Sequence, residues 1–168
     1  MTKRRFWYDT EFIEYPNTID LISIGIVGEA GQEFYGINND CDFSKANPWV
    51  TQNVLTQLPP RKVVWPESPW MSRSTLMQEV LDFLAPSKKD PVELWGHYSA
   101  YDHVALCWLF GPMVDLPEGM PMYTHDIKQL CDWLGNPRLP EEPKDEHHAL
   151  ADARWNKEAW QYLMDSWV

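Results

Sequence analysis

Two acidic residues interrupt a strongly apolar segment near the start of the chain, and they limit what that segment can form. The residues from Phe6 to Ile13 are aromatic or branched apart from Asp9, Thr10 and Glu11. This composition predicts a core β-strand, in which residues two apart project to the same face. Both carboxylates then point together, and burying such a pair is costly unless cations or protons lie between them. The pattern favours a metal-binding strand, although an edge of solvated acids would explain a lone pair of this kind.

The rest of the chain alternates strand and helix signals. Strands are predicted at 5–14, 19–27, 33–38 and 92–96. Helices are predicted at about 49–58, from a cap at Ser72 or Ser74 to Pro86, through Val104, Ala105 and Trp108 to an end at Gly111-Pro112, at about 126–134 and at about 147–167. A hairpin signal at 28–31 joins the second and third strands. We therefore expect one α/β domain spanning 1–168. Its mixed β-sheet should combine an antiparallel three-strand meander with parallel strands, flanked by α-helices.

Further acids stand where two predicted helices begin. Asp102 follows the strand that ends at Gly96 and lies in the first turn of the next helix, where a carboxylate can reach over the strand ends. Taken alone, it would be explained better as an acid at a helix N-terminus that is stabilised by the helix dipole. His147 lies five residues before Asp152, so both can converge on one point at the start of the last helix, although a surface histidine pair in an acidic linker is the alternative. We expect His148 to be a solvated neighbour.

Together these patterns resemble the DEDD exonuclease superfamily, in the branch that carries histidine in its third motif. The three matching motifs are Asp9-x-Glu11, Gly96-His97 through Tyr101-Asp102, and His147-x-Ala149-x-x-Asp152-Ala153. The stretches 8–14, 19–25 and 93–106 are similar to a small group of 3′-to-5′ exoribonucleases from mycobacteria and phages. Tyr98 stands where many relatives carry asparagine, and the Thr-Gly pair that often follows the first acids is missing. The resemblance implies a ribonuclease H-like fold.

The resemblance also implies an activity and a set of roles. The chain should be a two-metal-dependent 3′-to-5′ exoribonuclease that hydrolyses single-stranded RNA ends to 5′-mononucleotides. The implied metal ligands for two Mg²⁺ or Mn²⁺ ions are Asp9, Glu11, Asp102 and Asp152, with His147 as the general base. Glu11, Phe12 and His147 should bind the substrate. Phe12 would stack on or behind the terminal base, and the backbone beside it would meet the ribose, where a 2′-hydroxyl separates RNA from DNA.

The charge of the chain limits the nucleic acids that it can hold. Its 14 basic and 25 acidic side chains leave a formal charge of −11, which opposes tight binding along a duplex. Two divalent cations would offset four of these charges, so a short single-stranded end remains compatible. A DNA exonuclease with the same site stays open as an alternative, as does an inactive nucleic-acid-binding relative. A Rossmann or P-loop nucleotide enzyme is excluded, because neither glycine motif occurs.

Remaining features indicate a location and possible contacts. Three widely spaced cysteines without a C-x-x-C pair indicate reduced thiols, and the first apolar run is too short for a signal peptide or a membrane span. We therefore expect a cytoplasmic protein without membrane contact. Four of the ten tryptophans are predicted to lie in the core, namely Trp95, Trp108, Trp133 and Trp160. Trp65 and Trp70, in a proline-rich connection, are candidates for a homodimer contact or a lid.

Overall fold

The computed structural model of the protein describes residues 4–61 and 68–167 and contains one six-stranded sheet. The strands are β1 (Arg4–Tyr15), β2 (Thr18–Gly28), β3 (Glu33–Asn38), β4 (Trp70–Met71), β5 (Val92–Gly96) and β6 (His125–Asp126), in the order β4-β3-β2-β1-β5-β6. The first three pair antiparallel, and β4, β5 and β6 each join a neighbour in parallel. The predicted α/β class is confirmed, with its antiparallel meander and parallel strands in one mixed sheet.

Among the residues that the structure describes, five α-helices cover the two faces of this sheet. They are α1 (Pro48–Asn53), α2 (Arg73–Leu84), α3 (Ala100–Phe110), α4 (Ile127–Trp133) and α5 (Ala149–Ser166). Successive side chains of a strand point to opposite faces. Phe6 and Tyr8 accordingly pack into a cluster with α2 and α3, whereas Trp7 packs with α4 and α5. In the part of the chain that the structure describes, no helix is long and apolar enough to cross a membrane.

The predicted burial of the tryptophans is correct for some and wrong for others. Trp95 and Trp160 pack against the cluster around Trp7, as expected of core residues. Trp133 is 88% exposed, because α4 directs Ile127 and Cys131 into the core and Trp133 lies on another side of the helix. Trp108 is 42% exposed, in the last turn of α3. Helical spacing therefore identified the helices but not which tryptophans they bury.

The connection between α1 and α2 differs from its prediction. Trp70 is buried rather than available for a dimer contact or a lid, since it lies in β4 and its indole N–H donates to the carbonyl oxygen of Pro59 at 2.8 Å. Trp65 lies outside the described residues. The sequence did not predict β4 or β6, because a strand of two residues carries no periodic signal.

Candidate active site

One cavity of about 400 Å³ opens beside β1 and the end of β5. It is lined by every residue that the sequence singled out for the site, namely Asp9, Glu11, Phe12, Asp102, His147 and Asp152. These residues come from β1, from the first turn of α3 and from the start of α5. The fold therefore gathers the three predicted motifs around one space.

Alternation along β1 places Thr10 between the two acids and against α3. The backbone N–H and the hydroxyl of Thr10 both donate to Oδ1 of Asp102, at 2.9 and 2.6 Å. Asp102 is buried in the first turn of α3. Two hydrogen bonds to one carboxylate oxygen hold the start of α3 on β1 and leave the second oxygen, Oδ2, available to a ligand. The alternation predicted for this strand puts Thr10 on the face opposite the two acids, but no pattern indicated that it holds Asp102.

Two residues outside the three motifs hold α5 on the sheet. Gly25 of β2 pairs with Asp9, and a Cβ at this position would lie 2.4 Å from the backbone of Ala149. Only glycine therefore lets the first turn of α5 approach so closely. Farther along α5, the side-chain amide of Asn156 donates to the carbonyl oxygen of Tyr8 at 2.9 Å, next to Asp9. A glycine inside a strand was the only sequence signal for this approach, and Asn156 had none.

His147 lies outside the helix that was predicted to include it. Helix α5 begins at Ala149, and His147 has a left-handed backbone with φ of 70°. Its backbone N–H donates to Oδ2 of Asp152 at 2.9 Å, and its ring meets the edge of Trp49 at 4.8 Å between centroids. Possible ligand atoms of Glu11, His147 and Asp152 lie within 4.8 Å of one another. The predicted convergence of His147 and Asp152 is therefore observed.

The neighbouring His148 is not the solvated residue that was predicted. It is half-buried, and its ring stacks on Tyr35 at 4.5 Å with an interplanar angle of 28°. This contact joins the start of α5 to β3. The two adjacent histidines thus face different surroundings, and His147 alone lines the cavity.

Burial raises the pKa values of all four acids, and repulsion from neighbouring carboxylates adds to the effect. Burial raises the pKa of Glu11 to about 8, and the charges of Asp152 and Asp102 add to the effect. Burial likewise raises the pKa of Asp152 to about 7, although the hydrogen bond from His147 opposes the change. The pKa of Asp102 rises through burial to about 6, and burial together with the other three acids raises that of Asp9 well above its usual value.

Where the structure describes the chain, no lysine or arginine forms an ion pair with these carboxylates. Among residues 4–61 and 68–167, none of the ion pairs includes any of the four acids. Clustered carboxylate oxygens are the donors that hard divalent cations such as Mg²⁺ and Mn²⁺ prefer. The residues present therefore fit a divalent metal site, with the histidine ring at its border.

The raised pKa values predict how stability depends on pH. In the unfolded chain these acids ionise near pH 4, whereas Asp152 and Glu11 keep their protons to about pH 7 and 8 in the folded protein. The folded state therefore holds more protons across this window, and the free energy of unfolding falls as the pH rises. In EDTA, the melting temperature should decrease between pH 5.5 and 8. Added Mn²⁺ should raise it more at pH 8 than at pH 5.5.

The control for this prediction is Glu11→Gln, which removes the acid with a pKa of about 8. Its melting temperature in EDTA should change less with pH than that of the unmodified protein. A melting temperature that stays constant or increases from pH 5.5 to 8 in EDTA would contradict the assignment of buried, uncompensated acids.

The mixed sheet and the three motifs around one cavity agree with the class of nuclease that the sequence resembles, the DEDD type with histidine in the third motif. Residues 4–164 match the model of the 3′-5′ exoribonuclease Rv2179c-like domain. The chain belongs to this family of hydrolases.

Individual relatives agree with the family assignment. The 3′-5′ exoribonucleases Rv2179c and MT2234.1 of Mycobacterium tuberculosis, from strains H37Rv and CDC 1551 / Oshkosh, are each 46% identical to this chain over 151 residues. The match covers 89% of this chain and 87% of each relative. Among solved structures, S. pombe Pop2p in its Mg²⁺- and Mn²⁺-bound form is similar, with a TM-score of 0.52 and 12% identity. That match covers 95% of this chain and 81% of Pop2p and supports the ribonuclease H-like fold.

Proposed function

We propose that this protein acts, as one exonuclease domain, on single-stranded RNA and releases 5′-mononucleotides from the 3′ end in a reaction that depends on two divalent cations. The observation that carries the proposal is the cluster of four acids with raised pKa values and no cationic partner among the described residues, beside His147 in one cavity. Membership in a 3′-5′ exoribonuclease family supports the direction of digestion and RNA as the substrate.

The carboxylates of Asp9, Glu11, Asp102 and Asp152 would hold two Mg²⁺ or Mn²⁺ ions. Such ions lower the pKa of water and relieve negative charge on the departing 3′-oxygen. The hydrogen bonds from Thr10 orient Asp102, and the bond from the His147 backbone orients Asp152. The metal-bound form of Pop2p supports the choice of cations.

His147 would be the general base that takes a proton from the attacking water. Its left-handed backbone is uncommon for a residue other than glycine, and such strained conformations are concentrated at functional sites. The bond from its N–H to Asp152 and the ring of Trp49 hold the imidazole beside Glu11 and Asp152. Neutral imidazole in this position can accept the proton during attack on phosphorus.

Phe12 and Glu11 would position the terminal nucleotide. Phe12 lines the cavity, and its ring is nearly parallel to that of Tyr101, with an interplanar angle of 14° and 6.0 Å between centroids. An aromatic face beside the acids offers a stacking surface for the terminal base. The backbone at Glu11 and Phe12 would meet the ribose, where contact with a 2′-hydroxyl would favour RNA.

The predicted homodimer stays a prediction. Of its two candidate contact residues, Trp70 is buried within one chain and is not available for such a contact.

The decisive experiment is digestion of two 5′-labelled single strands of identical sequence, one RNA and one DNA, in Mg²⁺. We expect the RNA to shorten progressively from its 3′ end, with release of 5′-mononucleotides, because the ribose contact selects the 2′-hydroxyl. The Asp9→Asn variant provides the control. Preference for DNA would replace RNA as the proposed substrate, and absence of shortening in both Mg²⁺ and Mn²⁺ would refute the catalytic proposal.

A further inference from the structure

The four acids of the cavity differ in how the protein holds them. Asp102 accepts two hydrogen bonds from Thr10, and Asp152 accepts one from the backbone N–H of His147. Within the described part of the chain, the carboxylate of Glu11 accepts no hydrogen bond. Carboxylates that bind metal ions are usually held in turn by hydrogen bonds from neighbouring groups. Glu11 therefore lacks the contact that would orient it toward a cation.

Two hydroxyl groups lie beside Glu11 on the same face of the sheet. Ser23 of β2 is the direct partner of Glu11 in the pairing of β1 with β2. Directly opposed residues of antiparallel strands project to the same face, with Cβ atoms about 4.5 to 5.5 Å apart. Tyr35 of β3 pairs with Gly25, two residues from Ser23 along β2, and an aromatic side chain can reach across this diagonal. The strand pairing therefore places Glu11, Ser23 and Tyr35 next to one another.

Both hydroxyl groups are buried without a hydrogen bond of normal geometry. Ser23 is 0% exposed, and the hydroxyl oxygens of Ser23 and Tyr35 lack a partner among the described residues. Burial raises the pKa of Tyr35 above its usual value, the charge of Glu11 adds to the effect, and the Ser23 hydroxyl opposes it. Both groups therefore lie near the Tyr35 hydroxyl. Buried polar groups nearly always have a partner, so two neighbouring exceptions beside Glu11 indicate a function.

We propose that Ser23 and Tyr35 position Glu11 as a metal ligand, with the Ser23 hydroxyl donating to the Glu11 carboxylate and accepting from the Tyr35 hydroxyl. A hydroxyl group both donates and accepts, so Ser23 can link the other two groups. One oxygen of Glu11 accepts from Ser23, and the other stays available for a cation. The inference rests on the proposed function, in which Glu11 helps to hold a divalent cation.

Two conservative substitutions remove one hydroxyl each. Tyr35→Phe keeps the ring that stacks on His148, and Ser23→Ala removes a single oxygen atom. The affinity of the full chain for Mn²⁺ is measured by titration calorimetry at one pH. Each variant should bind Mn²⁺ about tenfold more weakly, the lower end of the range for groups that hold a metal ligand. Tyr162→Phe, at an exposed tyrosine of α5 outside the cavity, is the matched control and should bind Mn²⁺ like the unmodified protein.

The double variant tests whether the two hydroxyls act in sequence. If Tyr35 acts on Glu11 only through Ser23, then Tyr35→Phe has no further effect once Ser23→Ala is present. The double variant should therefore bind Mn²⁺ about as tightly as Ser23→Ala alone. Independent losses that multiply to about a hundredfold would overturn the proposed order of hydrogen bonds.

Melting temperatures in EDTA separate a positioning role from a structural one. Neither hydroxyl has a partner in the structure, so its removal should not lower the melting temperature. A lower melting temperature of both variants in EDTA, together with an unchanged affinity for Mn²⁺, would assign the hydroxyls to the stability of the fold and overturn the proposal.

Digestion of the 5′-labelled RNA separates this proposal from the proposed function. If RNA is digested but both variants bind Mn²⁺ as tightly as the unmodified protein, the positioning role fails and the catalytic proposal stands. If both variants weaken Mn²⁺ binding as expected but no strand is shortened by the unmodified protein, the positioning of Glu11 stands and the catalytic proposal fails. Absence of Mn²⁺ binding to the unmodified protein would overturn both.

Discussion

Asp9→Asn should lower kcat by on the order of 10³-fold, because stabilisation by a bound cation contributes several kcal/mol to the transition state and each 1.36 kcal/mol is a factor of ten. Asparagine keeps the size of the side chain and removes the charge. The same variant should melt at a higher temperature than the unmodified protein in EDTA at pH 8. The reason is that burial and three neighbouring acids raise the pKa of Asp9, so its ionised form destabilises the metal-free fold.

Opposite changes in activity and stability make this prediction specific. A residue that matters only for packing would lose both together, so a fall in both kcat and melting temperature would assign Asp9 a structural role. The matched control is Asp165→Asn, an exposed acid near the end of α5 and outside the cavity. This control should leave kcat and the melting temperature nearly unchanged.

His147→Asn should lower kcat by about 10²- to 10⁴-fold, the usual contribution of a general base. Asparagine tolerates the left-handed backbone found at His147, and it keeps the backbone N–H that binds Asp152. The fold and the orientation of Asp152 should therefore persist. Because His147 is proposed as a base and not as a metal ligand, the affinity for Mn²⁺ measured by titration calorimetry should stay the same.

The affinity for Mn²⁺ decides between two roles for His147. Its ring nitrogens lie close enough to Glu11 and Asp152 for shared coordination of one ion. A parallel loss of Mn²⁺ affinity and kcat would make His147 a ligand and overturn its role as the base. His148→Asn is the matched control, since that ring stacks on Tyr35 outside the cavity, and it should keep kcat.

Local sequence patterns predicted most of the strands and helices, and each wrong or missing prediction has a physical cause. The β-branched and aromatic runs placed β1, β2, β3 and β5 to within one residue, since alternation and composition are properties of short segments. Helix α5 begins two residues later than predicted, because the strained backbone of His147 and its bond to Asp152 precede the first helical turn. Strand β4 and the buried position of Trp70 depend on pairing with β3, which no local pattern encodes.

The candidate site, like the fold, was predictable only in part. The positions of Asp9, Glu11, Asp102, His147 and Asp152 were predictable, because each stands in a motif whose spacing has a chemical reason. The contribution of Trp49 in α1, and of Asn47 just before it, to the lining of the cavity was not predictable. It depends on how a short helix packs beside the sheet, and this packing leaves no pattern in the chain.

The sequence by itself determined that two carboxylates share one face of a core strand, because the period of a β-strand is a local property of the backbone. It also determined the order of the motifs, and through them the family. Only the tertiary structure decided that Thr10 binds Asp102 from 92 positions away and that α5 lies against Gly25. Distances between remote segments depend on how whole faces pack, and a single missing Cβ or an extra strand residue changes them without altering any local pattern.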